Sequence, residues 1–324
     1  MNGICTLGND YVYDQLIALL NSIDVILGSD IPVCIYPFDE QTQRIADEIS
    51  KRPNVFLYDN QESIKRWDEF MLEASPASMN KNKYRIYGGH RRFCAFDGPF
   101  DRFIYLDADT LVMNSLDFVF HKLDDYDCVV YDFQFKYPEK VYNTKSDKLL
   151  KVFDKNSLEK EIFCSGFYAS RNGLFPQDKI AELLSYLKSG EREILYPTGD
   201  QPVLNYMFMR SGIPIYNFAH HLPYKQITGC TVTSKHFEEK DKILYDKGNR
   251  LTYLHYIGVP PHINQAVCAG ENIEFPYREL FLYYRYLHEP DKRPVFNNSP
   301  KPYDAPPANL LTRALRKFKL INQG

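Results

Sequence analysis

Residues 103–115 read FIYLDADTLVMNS. Apolar and aromatic residues fill the first four positions, the carboxylates Asp107 and Asp109 follow, and the chain then turns apolar again. A short, uninterrupted apolar run of this kind is typical of a strand that is buried on both faces. The stretch therefore predicts a buried strand that ends in an Asp-Ala-Asp turn.

The two carboxylates of this turn need a compensating group, because adjacent acids at the end of a buried strand repel each other and lose hydration. Mg²⁺ and Mn²⁺ prefer oxygen ligands, and they commonly combine one or two protein carboxylates with substrate phosphates. Asp107 and Asp109 therefore indicate a site for a divalent ion and a diphosphate. The alternative is a solvated turn without a ligand.

Strand and helix patterns alternate through the first hundred residues, which is typical of an α/β fold with a doubly wound, mostly parallel sheet and flanking helices. Ligands of such sheets bind beyond the carboxyl ends of the strands, so the Asp107 and Asp109 side chains are expected to project into the binding crevice. The predicted strands lie at residues 3–7, 31–36, 54–59 and 103–107, and helical patterns between them lie at 9–23, 39–50 and 83–96.

The composition excludes several classes of protein. With 324 residues and 44% hydrophobic content the chain can bury a sizeable core, and a net charge of −3 indicates no nucleic-acid partner. Seven scattered cysteines without a C-x-x-C pair predict buried thiols in a reducing cytosol. No basic segment precedes an early apolar run, and no apolar stretch approaches the roughly 18 residues of a membrane span. We therefore expect a cytoplasmic protein without a signal peptide.

Three further motifs combine chemically active residues with a regular element. His255 lies in the late strand pattern TYLHYIG, Asp200 and Gln201 begin the helix pattern GDQPVLN, and Ser165-Gly166 interrupts the apolar run IFCSGFYAS. Each motif has a purely structural alternative. These alternatives are a core histidine, a plain helix cap with a surface glutamine, and a β-bulge.

In this order the motifs resemble those of the family 8 glycosyltransferases, the group that includes glycogenin and bacterial galactosyltransferases. The family pattern begins with a strand and an Asn/Asp-Tyr turn, carries a basic residue some sixteen positions before its D-x-D motif, and ends in H-x-x-G-x-x-K-P-W. The resemblance spans roughly Gly3 to Pro261. The matching residues are Thr6, Leu7, Asn9, Tyr11, Arg91, Asp107, Ala108, Asp109, Ser165, Asp200, Gln201, His255 and Gly258.

The resemblance implies a GT-A fold and a retaining transfer of a sugar from a nucleotide donor, most often a UDP-sugar, to a glycan, lipid or protein acceptor. It implies that Asp107, Asp109 and His255 ligate Mn²⁺ or Mg²⁺. It implies contacts with the donor base (Thr6, Leu7, Asn9, Tyr11), the ribose (Asp107, Ala108), the diphosphate or sugar (Arg91), the sugar hydroxyls (Asp200) and the reacting face (Gln201). Ser165 and Gly258 are also implied to bind the donor.

The chain is expected to divide into two parts, of which only the first resembles the family. Residues 1–275 are predicted to form the GT-A domain, with a nucleotide-binding half at about 1–115 and an acceptor half at about 116–275. Residues 276–324 are predicted to form a helical C-terminal extension with a Pro-rich linker and a basic amphipathic tail at 310–320. This tail is a candidate for peripheral contact with an anionic inner membrane surface, and packing on its own domain is the alternative.

The chain departs from the family pattern in two places, before the Ser-Gly motif and in the closing loop. Cys164 replaces the family's Asn before Ser-Gly, so one hydrogen bond to the donor sugar is missing or replaced. Pro261 and Ile263 replace the Lys and Trp of the closing loop, and His262 can substitute as a cation only when it is protonated.

Two other functions stay open at this point. A Mg-dependent nucleotidyltransferase also combines a carboxylate pair with Mg²⁺, but it usually carries a Gly-rich loop with a basic residue where this chain reads TLGNDYVYD. The missing loop Lys also permits a non-catalytic protein that binds a nucleotide sugar.

Overall fold

The computed structural model describes residues 1–79 and 88–304. The strands are β1 (Asn2–Gly8), β2 (Val33–Pro37), β3 (Val55–Leu57), β4 (Arg102–Asp107), β5 (Thr110–Val112), β6 (Cys128–Val130), β7 (Phe167–Arg171), β8 (Ile215–Asn217), β9 (Glu238–Lys240), β10 (Ile243–Asp246), β11 (Asn249–Arg250), β12 (Tyr253–His255), β13 (Ile273–Glu274) and β14 (Lys301–Pro302). The α-helices are α1 (Tyr13–Leu27), α2 (Gln43–Ile49), α3 (Gln61–Ala74), α4 (Asp117–Lys122), α5 (Leu149–Val152), α6 (Lys155–Lys160), α7 (Gln177–Lys188), α8 (Gln201–Arg210), α9 (Phe218–His221), α10 (Pro261–Cys268) and α11 (Arg278–Arg285).

Seven of these strands form the central sheet, in the order β3-β2-β1-β4-β7-β6-β8. All neighbouring pairs are parallel except those of β7, which runs antiparallel to β4 and to β6. The prediction of a mostly parallel α/β sheet is therefore confirmed. The strand order reverses between β1 and β4, and such a reversal opens a crevice beyond the carboxyl ends of the two strands.

The strand β4 is buried on both faces, as its apolar sequence predicted. Phe103 and Tyr105 join an apolar layer that contains one face of α3, whereas Ile104 and Leu106 join the opposite layer with α1. All four side chains are fully buried. Because neither face meets water, the strand shows no alternation of apolar and polar residues.

One predicted helix differs in type and in bounds. The pattern at residues 83–96 is a 3₁₀ helix at Gly89–Asp97 within the described part of the chain. The long helix of this region is α3, which the sequence analysis missed. Its start is marked by Asn60, whose side chain accepts a hydrogen bond from the Ser63 amide over 3.1 Å, a standard N-cap.

The predicted late strand is shorter than expected and lies outside the central sheet. It is β12, which pairs antiparallel with β5 so that His255 lies opposite Thr110. The Tyr256 amide continues this ladder by donating to the Asp109 carbonyl over 2.8 Å. Since β5 directly follows the Asp-Ala-Asp turn, this pairing fixes where His255 enters the crevice.

The described C-terminal residues pack against the main body. The Arg285 guanidinium lies 2.6 Å from the Asp14 carboxylate, and Asn21 donates a hydrogen bond to the Tyr284 carbonyl over 2.7 Å. The predicted linker returns to the fold in part, since β14 pairs with β13. The predicted basic helix at 310–320 lies outside the described residues, and no helix within them is both long and apolar enough to cross a bilayer.

We expect Asp14→Ala to lower the free energy of unfolding by roughly 3 kcal/mol, because among the described residues it leaves the more exposed Glu289 as the remaining carboxylate partner of the buried Arg285. Urea denaturation followed by circular dichroism measures this change. The control is Asp101→Ala, which removes an exposed ion pair with the N-terminal amine. Equal stability losses in the two variants would contradict the buried role of Arg285.

Candidate active site

The Asp-Ala-Asp turn and β12 bring three candidate metal ligands together. The Nε2 atom of His255 lies 3.2 Å from Asp109 Oδ1 and 4.0 Å from Asp107 Oδ2. One ligand atom from each residue lies within 4.8 Å of the other two. The three residues that the sequence predicted as metal ligands therefore form one cluster at the carboxyl end of β4.

The charges in this cluster are strongly coupled. Burial opposes ionisation of His255, but the Asp109 carboxylate outweighs it and raises the His255 pKa well above its ordinary value. Against the effect of burial, the same contact lowers the pKa of Asp109. Burial raises the pKa of Asp107 against the pull of Arg92, and the neighbouring Asp109 adds to this rise. The imidazolium form of His255 thus compensates the Asp109 carboxylate.

The spacing of the cluster suits a hard divalent ion. For ligand bonds of about 2.1 Å, neighbouring octahedral ligands lie about 3 Å apart and opposite ligands about 4.2 Å apart. The distances of 3.2 and 4.0 Å from His255 Nε2 to the two carboxylates are close to these values. Two carboxylates and one imidazole also leave octahedral positions for other oxygen ligands.

Gly166 lies directly beside this cluster, just before β7. A Cβ atom at this position would come within 2.6 Å of His255 Cε1 and 2.7 Å of Asp107 Oδ2. Its carbonyl also accepts a hydrogen bond of 2.9 Å from the Asp107 amide. Of the two alternatives for the Ser-Gly motif, the structure therefore supports a close approach of the backbone to the site.

Arg92 is a buried cation in the site that the sequence analysis missed. Its guanidinium lies 3.1 Å from Asp107 Oδ1 and 2.8 Å from Asp200 Oδ2, and it donates to the Ser165 carbonyl over 2.7 Å. The predicted residue, Arg91, forms a bidentate ion pair with the Asp68 carboxylate, with hydrogen bonds of 3.1 and 3.0 Å. Neighbouring residues of a 3₁₀ helix point about 120° apart, so only one of the two arginines can face Asp107. Sequence spacing alone does not show which one.

The two residues that begin α8 reach the same site. The Asp200 carboxylate pairs with Arg92 and makes no hydrogen bond to the helix that it precedes, which argues against a plain cap. The Gln201 side-chain oxygen accepts a hydrogen bond of 3.1 Å from the Ser165 amide. Asp200, Gln201 and Ser165 are thus linked through Arg92 to the Asp107 carboxylate.

A cavity of about 600 Å³ opens from the metal-ligand cluster toward the carboxyl end of β1. Thr6 does not reach it, because this residue lies inside β1 and is fully buried. The predicted residues Leu7, Asn9, Tyr11, Asp107, Ala108 and Gly258 line it, together with Gly8, Val12, Gln15, Phe38, Asp109, Ile257, Val259, Pro260 and Pro261. Phe38 directly follows β2, so the rule that ligands bind at strand ends could have found it.

The sequence comparison identifies the family. Residues 8–260 match the model of Glycosyl transferase family 8, which covers most of the chain. The chain belongs to this family. A comparison with curated proteins gave no match.

Solved structures of glycosyltransferases share the fold of this family 8 chain. The galactosyltransferase LgtC, in complex with donor and acceptor sugar analogs, matches with a TM-score of 0.52 and 15% identity over 80% of this chain and 87% of that chain. The bifunctional glycosyltransferase WbbM matches with a TM-score of 0.51 and 15% identity over 90% of this chain and 51% of that chain. The predicted GT-A fold is therefore confirmed, and the family membership makes the chain a glycosyltransferase rather than a nucleotidyltransferase.

The positions that depart from the family pattern lie at the site. The Cys164 thiol is partly buried, and it contributes to the rise in the His255 pKa. Pro261 begins α10 at the rim of the cavity, while His262 is exposed and Ile263 is buried. The closing loop of this family 8 member therefore presents apolar groups and backbone where a lysine was expected.

Asp132 is a buried carboxylate behind the site, and it was not predicted. It follows β6, is 3% exposed, and accepts hydrogen bonds from the amides of Gln134 at 2.7 Å and Cys164 at 3.1 Å. Burial raises the pKa of Asp132 to about 7 despite these hydrogen bonds. The carboxyl end of β6 lies at the same edge as that of β4, so the signal that could have found Asp132 is its place after a buried strand.

The Gly166→Ala substitution tests the close approach at the metal-ligand cluster. We expect it to weaken Mn²⁺ binding and to reduce activity by at least about 10²-fold, because the added methyl group displaces His255 or Asp107. Isothermal titration calorimetry with Mn²⁺ measures the binding. As a control, Gly28→Ala adds a methyl group that meets no atom within 4 Å, and it strains only a positive φ. Unchanged Mn²⁺ affinity in Gly166→Ala would contradict this geometry.

The Asp132→Ala substitution tests the effect of burying this carboxylate on stability. A folded pKa of about 7 against about 3.9 in the unfolded chain means that the folded state binds the proton more tightly. This contribution to stability is therefore present below about pH 4 and is lost as the pH rises toward 7. As the pH rises from 5 to 8, the free energy of unfolding of the variant, measured in urea, should increase by about 2–3 kcal/mol relative to that of the wild type. Parallel pH profiles would contradict the raised pKa.

Proposed function

We propose that this glycosyltransferase transfers a hexose from a UDP-sugar with retention of anomeric configuration, and that Mn²⁺ or Mg²⁺ held by Asp107, Asp109 and His255 supports the reaction. The observation that carries the proposal is the clustering of these three side chains, of which Asp107 and Asp109 line a cavity of about 600 Å³. The cluster and the cavity both lie where the strand order reverses between β1 and β4, and α/β sheets bind nucleotides at such a reversal.

The cavity suits the nucleotide part of the donor. Its volume of about 600 Å³ falls within the usual range for a small ligand, and mainly apolar side chains line it, which favours a planar base. Leu7 and Tyr11 come from the carboxyl end of β1, and Pro260 faces them from the closing loop. With the base at this end, the diphosphate would reach Asp107 and Asp109 at the other.

The acidic cluster suits the diphosphate only with a cation present. When bound, a divalent ion neutralises the charge that develops on the diphosphate as the bond to the sugar breaks. His255 must lose its proton to act as a ligand, because only the neutral imidazole coordinates. Asp109 is held as a carboxylate by His255, and the fixed cation Arg92 stabilises the ionised form of Asp107.

The opposite wall of the site suits the donor sugar. Asp200, Gln201 and Ser165 lie together beyond Arg92, and they offer the carboxylate, amide and hydroxyl groups that bind sugar hydroxyls. LgtC binds donor and acceptor sugar analogs on a similar fold, which supports a donor site of this kind. The family resemblance supports retention, for which either a side chain or the leaving phosphate serves as the electron-rich neighbour of the anomeric carbon.

A donor screen tests this proposal. Purified protein is incubated with UDP-, GDP- and CDP-hexoses in Mn²⁺ or in EDTA, and release of the nucleoside diphosphate is measured together with the mass of the product. We expect release of UDP that EDTA abolishes, and a loss of at least about 10²-fold in Asp109→Asn. The matched control is Asp125→Asn, which removes an exposed acid that pairs with Lys122.

Each part of the proposal can fail separately. Activity that survives both EDTA and Asp109→Asn would exclude the metal site. Release of only GDP or CDP would exclude the UDP donor, and an inverted anomeric signal in the NMR spectrum of the product would exclude retention. UDP binding without turnover of any donor would leave the non-catalytic protein as the function. Contact of residues 310–324 with a membrane stays a prediction.

A further inference from the structure

The segment of residues 163–166 crosses the site between α6 and β7, and its backbone is held from outside the segment. Asn205 accepts a hydrogen bond from the Phe163 amide and donates one to the Phe163 carbonyl, both over 2.9 Å. Asp132 accepts from the Cys164 amide over 3.1 Å. No helix or strand ladder supplies these bonds, so side chains determine where the segment lies.

The second half of the segment is held by two side chains of the site and by one backbone bond that continues the pairing of β4 with β7. Gln201 accepts from the Ser165 amide, and Arg92 donates to the Ser165 carbonyl over 2.7 Å. The Asp107 amide donates to the Gly166 carbonyl over 2.9 Å. The segment therefore joins the metal-ligand cluster to the residues proposed to bind the donor sugar.

Asn205 also holds the start of α8. Its side-chain amide donates to the Gln201 carbonyl over 2.9 Å, four residues earlier in the helix, and the residue is fully buried. One side chain thus connects the Phe163 backbone to the helix turn that carries Gln201. Asp132 holds the same segment from the other side, at the end of β6.

The segment has little room to move. A Cβ atom on Gly166 would already be 2.6 Å from His255 and 2.7 Å from Asp107, so a small shift of the backbone toward the cluster would disturb the ligands. A shift away from the cluster would displace Ser165 from Gln201. Misplacement of reacting groups by about 1 Å can cost about 10²-fold in rate.

We infer that Asn205 and Asp132 are positioning residues that hold the 163–166 segment against the donor sugar, and so set both the rate of transfer and the selection between epimeric sugars. This inference rests on the proposed function for the identity of the donor. Neither residue lines the nucleotide cavity. Their substitution should therefore leave nucleotide binding intact while it impairs the sugar step.

The main test compares Asn205→Ser with Asn21→Ser. Asn21 is a matched control because it is 1% exposed and also donates its amide to a backbone carbonyl, that of Tyr284, but it lies on α1, away from the site. We expect Asn205→Ser to lower kcat about 10²-fold and to bring the kcat/KM ratio of UDP-glucose to UDP-galactose closer to one. The Kd for UDP in EDTA should change less than about twofold, because the cavity is untouched and no metal ion takes part in this binding. Asn21→Ser should change only stability.

A second variant and a second measurement keep the test independent of folding and of activity. Asp132→Ala removes a contact made from another element, the end of β6. It should lower kcat and bring the kcat/KM ratio closer to one, as Asn205→Ser does, and it also removes a carboxylate whose burial destabilises the fold. Hydrogen exchange of the amides at 163–165 should become roughly tenfold faster in both variants and not in Asn21→Ser. Unchanged exchange, or a kcat that falls only with the folded fraction, overturns the inference. Turnover of no donor by the wild type would instead refute the proposed function, while the exchange data still decide whether the segment is held.

Discussion

The repulsion among carboxylates at one sheet edge is the constraint on which the site depends. Asp107, Asp109 and Asp200 converge at the crevice, where burial makes unpaired negative charge costly. Arg92, which is always protonated, pairs with Asp107 and Asp200. His255 pairs with Asp109 and can lose its proton. The Arg92 guanidinium therefore compensates its two acids at every pH, whereas the positive charge of the His255 imidazolium could be replaced by that of a metal ion.

The fold supplies these two cations from distant parts of the chain. The 3₁₀ helix Gly89–Asp97 presents Arg92 from one side of β4, and the short β5–β12 ladder presents His255 from the other. A ladder of three residues is enough, because it directly continues the turn that carries Asp109. The absence of a side chain at Gly166 then leaves the space that the imidazole and the carboxylate need.

Several features could be predicted because they depend on local pattern. A strand that is covered on both faces must be apolar throughout, so β4 and its terminal carboxylates were visible directly. The motif order identified the family and with it His255 as a partner of Asp109. Thr6 shows the limit of this approach, since it matches a binding motif but lies inside the sheet. Sequence spacing also did not show that Arg92, one residue beyond the predicted Arg91, pairs with Asp107, while Arg91 pairs with Asp68.

The sequence by itself determined the α/β architecture, the edge of the sheet that carries the site, and the acids and imidazole of the metal-ligand cluster. The architecture and the position of the acids follow from burial and from the direction of parallel strands, which short stretches of residues already express, whereas the imidazole followed only from the order of the family's motifs. Only the tertiary structure decided which arginine neutralises the acids, that Asp132 is buried behind Cys164, and that Asn205 holds the segment before β7. These features are hydrogen bonds and ion pairs between residues far apart in the chain. Which of two neighbouring polar side chains faces the site depends on packing geometry, and no local sequence pattern encodes that geometry.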